Sequence, residues 1–164
     1  MSMRKVKFRD WEFEVDSELT RKTYAKEIGG FSEGCDCKYC LNYHPQKDEV
    51  FPEEIKNLFE DLGIDYHKES ECLNYFEASE FSDITKNKSG LCGYGGWFHF
   101  AGKILLGKEC VDENSNTYNL TQITDNFSIG FKEGKALNFF EDDVPLVQVE
   151  FESNISWIIE ECKE

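Results

Sequence analysis

Residues 35–40 read CDCKYC, and their three thiols are the side chains of this chain best suited to chemistry. Zn²⁺ in structural sites takes four sulfur or nitrogen ligands. Cys37 and Cys40 have the spacing of a zinc knuckle, in which a turn directs both sulfurs at one ion. Cys35 can be a third ligand if the chain turns sharply before Cys37. A zinc site is therefore one interpretation of this stretch.

A closed zinc site needs a fourth ligand, which Asp36, His44 or Cys72 would have to supply. A second CxxC and an HxxxH pair are absent. The candidate metal ligands are therefore Cys35, Cys37, Cys40 and His44. We expect no cofactor unless this segment binds zinc.

The CKYC segment from Cys37 to Cys40 also resembles the CxxC of the thioredoxin and glutaredoxin family, whose members exchange disulfides. Val144-Pro145 resembles the cis-proline segment of that family. The resemblance covers these few residues and implies thiol chemistry at the CxxC. In the family the CxxC follows a buried strand and opens a helix. Here it follows the glycine-rich, polar residues 28–34.

A third interpretation makes the three cysteines small apolar side chains that anchor a loop to the core, because a free cysteine is often buried as a small hydrophobe. Asn42 and Tyr43 directly after them could serve the same anchoring role. This structural interpretation needs no ligand.

His99 and Cys92 are the other pair with chemical potential, since a thiol beside an imidazole can act as a nucleophile. No third orienting group and no oxyanion signature accompany them. A packed or surface histidine is therefore the preferred interpretation of His99. His44 and His67 lie in polar segments and are expected to be solvated. We predict no catalytic residue.

The charge of the chain excludes some partners and favours others. Acidic residues number 33 against 18 basic ones, which gives a formal charge of -15. Nucleic acids and anionic membranes repel such a surface. A basic protein would be attracted, with Glu141, Asp142 and Asp143 among the candidate contacts. The same charge also serves simply to keep a protein soluble.

The seven cysteines and the absence of export signals predict a cytosolic chain. The basic N-terminal residues are not followed by an apolar h-region. No apolar run approaches the roughly 18 residues of a membrane span. The thiols are therefore expected to be reduced.

The clearest helix is predicted over Phe51–Gly63, with Pro52 in its first turn and Gly63 as its C-cap. Its buried face is formed by Ile55, Leu58, Phe59 and Leu62. A second helix is predicted over Ser17–Glu27, with Ser17 as the cap.

Most of the remaining chain alternates like strands. Val6–Val15 suggests a strand with a bulge near Asp10, and Gly90–Gly96 suggests a bulge or hairpin turn. Further strands are predicted over Cys72–Ala78, Trp97–Leu106, Tyr118–Ile123, Phe127–Phe131, Ala136–Phe140 and Leu146–Phe151. We therefore expect one α+β domain over residues 1–164, mainly an antiparallel sheet or curled meander with one or two helices in the N-terminal half.

Two function classes remain. The favoured one is a non-enzymatic binding or regulatory module for a basic protein partner. The alternative is a zinc-binding protein or thiol enzyme that uses Cys35, Cys37 and Cys40.

Overall fold

The computed structural model describes residues 3–74, 91–112 and 117–159. Within these ranges the chain forms a seven-stranded antiparallel sheet, a separate two-stranded pair, and helices that lie in the N-terminal half. The strands are β1 Arg4–Phe8, β2 Trp11–Val15, β3 Glu71–Asn74, β4 Leu91–Leu106, β5 Val111–Asp112, β6 Thr117–Tyr118, β7 Thr121–Thr124, β8 Phe127–Glu133 and β9 Leu146–Ser156. The helices are α1 Ser17–Ala25, α2 Lys38–Tyr43, α3 Lys47–Val50 and α4 Glu53–Leu62. The predicted α+β class is confirmed.

Strand β4 is the centre of the sheet, whose order is β1-β2-β4-β9-β8-β7. One edge of β4 pairs with β9 over eleven residue pairs. The other edge pairs with β3 near Gly96 and with β2 beyond Ala101. Between the segments of β4 that pair with β3 and with β2, the Tyr24 hydroxyl of α1 accepts from the His99 N–H at 3.0 Å and donates to the His99 carbonyl at 2.9 Å. A helix side chain thus completes the hydrogen bonding of the central strand, as buried backbone groups require.

The N-terminal strand prediction is wrong at Asp10, because the chain reverses there instead of bulging. Phe8 pairs with Trp11, and β1 and β2 form a hairpin. Arg9 in the turn has a φ of 51°, a conformation that non-glycine residues seldom adopt. A two-residue turn shifts the alternation by one position, so it leaves the same sequence pattern as a bulge.

The predicted turn in the glycine-rich stretch is also wrong, because Gly93, Gly95 and Gly96 lie within β4. A Cβ on Gly96 would come within 2.0 Å of the Glu71 carbonyl oxygen. Glycine at this position therefore allows β3 to approach β4 closely. Gly90 and the end of the predicted strand Cys72–Ala78 lie outside the described residues.

Helix α4 is confirmed, although it begins at Glu53 and Pro52 is its N-cap instead of lying in its first turn. Its apolar face is fully buried, and Gly63 ends it with a φ of 90°. Helix α1 is capped by Asp16, whose carboxylate accepts from the Leu19 N–H at 3.0 Å, and not by Ser17. Residues 136–140 do not form the predicted strand. Among the described helices, none is long and apolar enough to cross a membrane.

The core between the sheet and α4 is largely aromatic. Phe51 lies at its centre, with its ring 5.3 Å from that of Phe151, 5.7 Å from Phe98 and 5.8 Å from Phe59. Packed aromatic rings contribute large buried areas and prefer such edge-to-face and offset contacts. Packing against this core holds the N-terminal helices, including helix α2 with Cys40, on one side of the sheet.

Candidate metal centre

The cysteine segment, residues 31–43, is more structured than the predicted loop. It begins with a 3₁₀ turn over Phe31–Gly34, becomes extended at Cys35, and enters helix α2 at Lys38. Cys37 is the N-cap of α2, and its sulfur accepts from the Cys40 N–H at 3.5 Å. The Cys37 N–H in turn donates to the Cys35 sulfur at 3.5 Å. The change from extended chain to helix supplies the sharp turn that a third sulfur ligand requires.

This turn brings the three thiols together. The sulfur atoms of Cys35, Cys37 and Cys40 all lie within 4.8 Å of one another. Sulfur atoms around a tetrahedral zinc ion are about 3.8 Å apart, since each Zn–S bond is about 2.3 Å long. A small adjustment of side-chain torsions would therefore let all three sulfurs contact one ion.

The three thiols differ in how readily they ionise. Burial opposes ionisation of Cys37, but hydrogen bonds from the Cys40 backbone and from the thiols of Cys35 and Cys40 outweigh it and lower the pKa of Cys37. Burial, together with the hydrogen bonds to its two neighbours, raises the pKa of Cys40. A metal ion that binds both must displace the proton of Cys40, so its affinity would increase with pH.

A buried ion pair holds the first part of the cysteine segment. The Glu69 carbonyl accepts from the Phe31 N–H at 2.9 Å, and its carboxylate accepts from the Ser32 N–H at 2.7 Å. The Lys47 ammonium lies 2.8 Å from the same carboxylate, and Lys47 is 3% exposed while Glu69 is 0% exposed. The 3₁₀ turn that precedes Cys35 is therefore fixed from inside the protein.

Helix α2 is held to the sheet by a second set of buried contacts. The Asn42 side chain donates to the Ser156 carbonyl at 3.0 Å and accepts from the Ile158 N–H at 2.6 Å. The Tyr94 hydroxyl donates to the Tyr39 carbonyl at 2.7 Å. Asn42 and Tyr43 are both fully buried. The segment is thus anchored to the core by residues after the cysteines, which leaves the thiols available for other roles.

The candidates for a fourth ligand lie outside the group of converging sulfurs. The His44 ring is half-exposed, with Nδ1 4.0 Å from a Glu33 carboxylate oxygen. Cys72 is buried in β3, where burial and the nearby Glu69 and Cys40 raise its pKa. Asp36 is exposed. In the described residues, none of the three side chains joins the sulfurs within 4.8 Å.

The structure around Cys37 agrees only in part with the arrangement that the thioredoxin resemblance implies. Cys37 does open a helix, as the CxxC of that family does. A 3₁₀ turn and not a buried strand precedes it. In that family the preceding strand places the CxxC at the end of the sheet. Here side chains attach the cysteine segment to the sheet instead.

Cys92 and His99 do not form a nucleophilic pair. Both lie in β4, and residues seven positions apart on a strand point to opposite faces and are about 23 Å apart. His99 is fully buried, with Nε2 3.2 Å from the Gln148 side-chain oxygen. Burial lowers the pKa of His99 to about 4, although the contact with Gln148 opposes this shift. His99 is therefore a packed histidine, as the preferred interpretation predicts.

Sequence reasoning missed two sets of buried polar residues. The alternation of β9 assigns Gln148 and Glu150 to an exposed face, yet both are buried. Residues 134–140 cover that face, for example where the Ala136 N–H donates to the Gln148 oxygen at 3.2 Å. The Lys47–Glu69 pair is equally invisible in the sequence. Burial of long charged side chains depends on which distant segments meet, and no local pattern records it.

The described residues contain one group of three or more metal-ligating side chains that converge closely, and that group is the three thiols of the cysteine segment. Cys35 and Cys37 lie in the extended chain between the 3₁₀ turn and helix α2, and Cys40 lies in α2. No family model matches this chain, and neither a curated protein nor a solved structure matches it at a significant level. A functional assignment therefore depends on the geometry of this site.

Proposed function

We propose that this chain is a metal-binding protein whose cysteine segment holds Zn²⁺ through the thiolates of Cys35, Cys37 and Cys40. The observation that carries the proposal is the convergence of these three sulfur atoms within 4.8 Å of one another. Thiolate ligands select thiophilic ions such as Zn²⁺ over Mg²⁺ or Ca²⁺, which prefer oxygen.

The frame around the thiols supports the same proposal. Buried contacts of Glu69 and Asn42 fix the two ends of the segment, so the sulfurs are held close together by the fold and not only by chance side-chain positions. A preorganised site loses less conformational freedom when it binds. The six cysteines in the described ranges form no disulfide, which leaves the sulfurs of Cys35, Cys37 and Cys40 free to bind a metal as thiolates.

The direct test is elemental analysis of protein purified without chelator or metal-affinity resin, combined with thiol titration. We expect about one zinc ion per chain, and about three thiols that react only after chelation. The variant Cys37→Ala should lose the metal, and Cys110→Ala, which removes a buried thiol elsewhere, should retain it. Metal-free protein in which no thiol becomes more reactive on chelation would contradict the proposal.

We retain the basic protein partner as a second proposal. It is supported by the net charge of -15 and by the exposure of Glu141, Asp142 and Asp143. Exposed charges of one sign raise the association rate with an oppositely charged partner, and salt screens the effect. Such a surface can coexist with a metal site, because the two use different residues.

A further inference from the structure

We infer that the metal site of the cysteine segment is open: Cys35, Cys37 and Cys40 fill three positions, and the fourth accepts a small external thiol. The inference rests on the proposed function and names the class of ligand that the site takes. In zinc proteins, a site with three protein ligands leaves the fourth position to water or substrate, whereas a closed site has four protein ligands.

The first argument is the depth of the three thiols. Cys40 is buried, Cys35 is partly exposed, and Cys37 is exposed. An ion bound to all three would therefore lie near the protein surface, because two of its three sulfur ligands are at least partly exposed. An external molecule can reach an ion at this depth.

The second argument is that, among the described residues, no fourth protein ligand joins the three sulfurs within 4.8 Å. The half-exposed His44 ring lies beside Glu33, with 4.0 Å between Nδ1 and the carboxylate oxygen. Cys72 belongs to the apolar core and lies on β3, opposite Gly96 of β4, so the sheet holds its sulfur outside the group.

The third argument is the rigidity of helix α2. Asn42 and Tyr43 are fully buried, and Asn42 is bonded to the backbone of residues 156 and 158. The helix cannot shift toward the surface to carry His44 into the site without breaking these bonds. Among the described residues, rotation of the half-exposed His44 side chain or of the exposed Asp36 side chain could close the site, and the experiment below tests both.

The chemistry of the three sulfur ligands favours a further sulfur ligand, because thiophilic ions prefer thiolate to carboxylate or water. A small thiol would bind as its thiolate and release its proton to solvent, which gives the four-sulfur coordination known from zinc proteins.

The test uses Co²⁺ in place of Zn²⁺, under anaerobic conditions and without added reductant. Absorption from sulfur to cobalt reports the number of thiolates, and the visible bands report the coordination number. We expect the cobalt protein to respond saturably to 2-mercaptoethanol, with the thiolate absorption increasing by about one third as a fourth sulfur joins three. Ethylene glycol, which has oxygen in place of sulfur, should have no effect.

The variants His44→Ala, Asp36→Ala and Cys72→Ala decide between an open and a closed site, with circular dichroism to confirm folding. In an open site, all three variants retain the cobalt spectrum and the thiol response of the parent. A parent spectrum that ignores 2-mercaptoethanol overturns the inference, and a variant that changes this spectrum would then identify the protein ligand. Absence of any cobalt–thiolate absorption in the parent overturns the proposed function itself, which is a separate and recognisable result.

Discussion

The cysteine segment and the buried polar row on the opposite face of the sheet contain the same kinds of side chain in contrasting environments. The buried polar row comprises His99, Gln148 and Glu150, with Cys110 beside it. Burial lowers the pKa of His99 to about 4, raises that of Glu150, and raises that of Cys110 to about 12. Each shift favours the uncharged form. In the cysteine segment, hydrogen bonds instead lower the pKa of the exposed Cys37.

The comparison shows that side chains of the same chemical types differ in how accessible they are to a ligand. The imidazole and the carboxylate of the buried polar row are both bound to Gln148, which contacts His99 and Glu150. The Cys110 thiol beside them is buried. The thiols of the cysteine segment leave their sulfur lone pairs available to an ion.

The largest expected effect comes from removing the frame of the cysteine segment. Glu69→Gln removes the close, buried counter-charge of the Lys47 ammonium and leaves only the more distant Glu33 carboxylate, and we expect it to lower the free energy of unfolding by about 3 kcal/mol. Glu33→Gln is the matched control, because Glu33 is partly exposed and 3.8 Å from the same ammonium, and it should cost about 0.5 kcal/mol or less. Urea unfolding measures both. Equal losses would show that the buried pair does not hold the segment.

The second prediction concerns acid stability and the buried polar row. The folded pKa of His99 is about 4, below the unfolded value of about 6.5. The unfolded chain therefore binds more protons between these values, so stability is lost as the pH falls from about 6.5 to 4, by about 3 kcal/mol at most.

Comparison of His99→Gln with the parent isolates this contribution, because Glu150, whose raised pKa acts in the opposite direction, is present in both. The variant should lose less stability than the parent between pH 7 and pH 4 in urea unfolding. His44→Gln, at an exposed position, should follow the parent. The same pH dependence in parent and His99→Gln would contradict the assignment.

The third prediction separates the two regions by metal affinity. Cys37→Ala removes a metal ligand. Loss of a residue that only hydrogen-bonds to a ligand weakens metal binding by about 10- to 100-fold, so loss of the ligand itself should lower the affinity for Zn²⁺ by about 100-fold or more. Cys110→Ala should retain the parent affinity. Competition with a chromophoric chelator measures both. An unchanged affinity in Cys37→Ala would exclude this thiol as a ligand.

The fourth prediction concerns thiol reactivity in metal-free protein. The thiolate is the reactive species, so Cys37 should be alkylated by iodoacetamide before Cys72 and Cys110, whose pKa values burial raises. Its rate should decrease as the pH is lowered through its reduced pKa. Peptide mass spectrometry identifies the modified residue. If Cys72 or Cys110 were modified as fast as Cys37 without denaturant, the predicted difference between the two regions would be wrong.

The smallest expected effect concerns the acidic surface, which belongs to neither region. The triple variant Glu141→Gln, Asp142→Asn and Asp143→Asn should change stability by about 0.5 kcal/mol or less, because these side chains are exposed. It should bind polylysine about three- to tenfold more weakly than the parent at low salt. Fluorescence anisotropy measures this binding, which added salt should weaken in the parent. Equal binding by both would exclude these three residues as contacts.

The sequence predicted the elements whose signals are local. Apolar residues at helical spacing and the C-cap Gly63 predict helix α4, and the alternation of apolar and polar residues predicts β9. The hairpin at Asp10 was missed because a two-residue turn and a bulge both displace the alternation by one. The glycines of β4 were assigned to a turn because their role, close approach by β3, depends on a neighbouring strand.

For the candidate site, the sequence by itself determined the three thiols, their close spacing and the acidic surroundings. Only the tertiary structure decided that the sulfurs converge, that Cys37 is exposed while Cys40 is buried, and that His44 and Cys72 lie outside the group. The physical reason is that ligand identity is a property of residue type, whereas convergence and exposure depend on contacts between distant segments. Here those contacts are the bonds from Glu69 and Ser156 that fix the two ends of the cysteine segment.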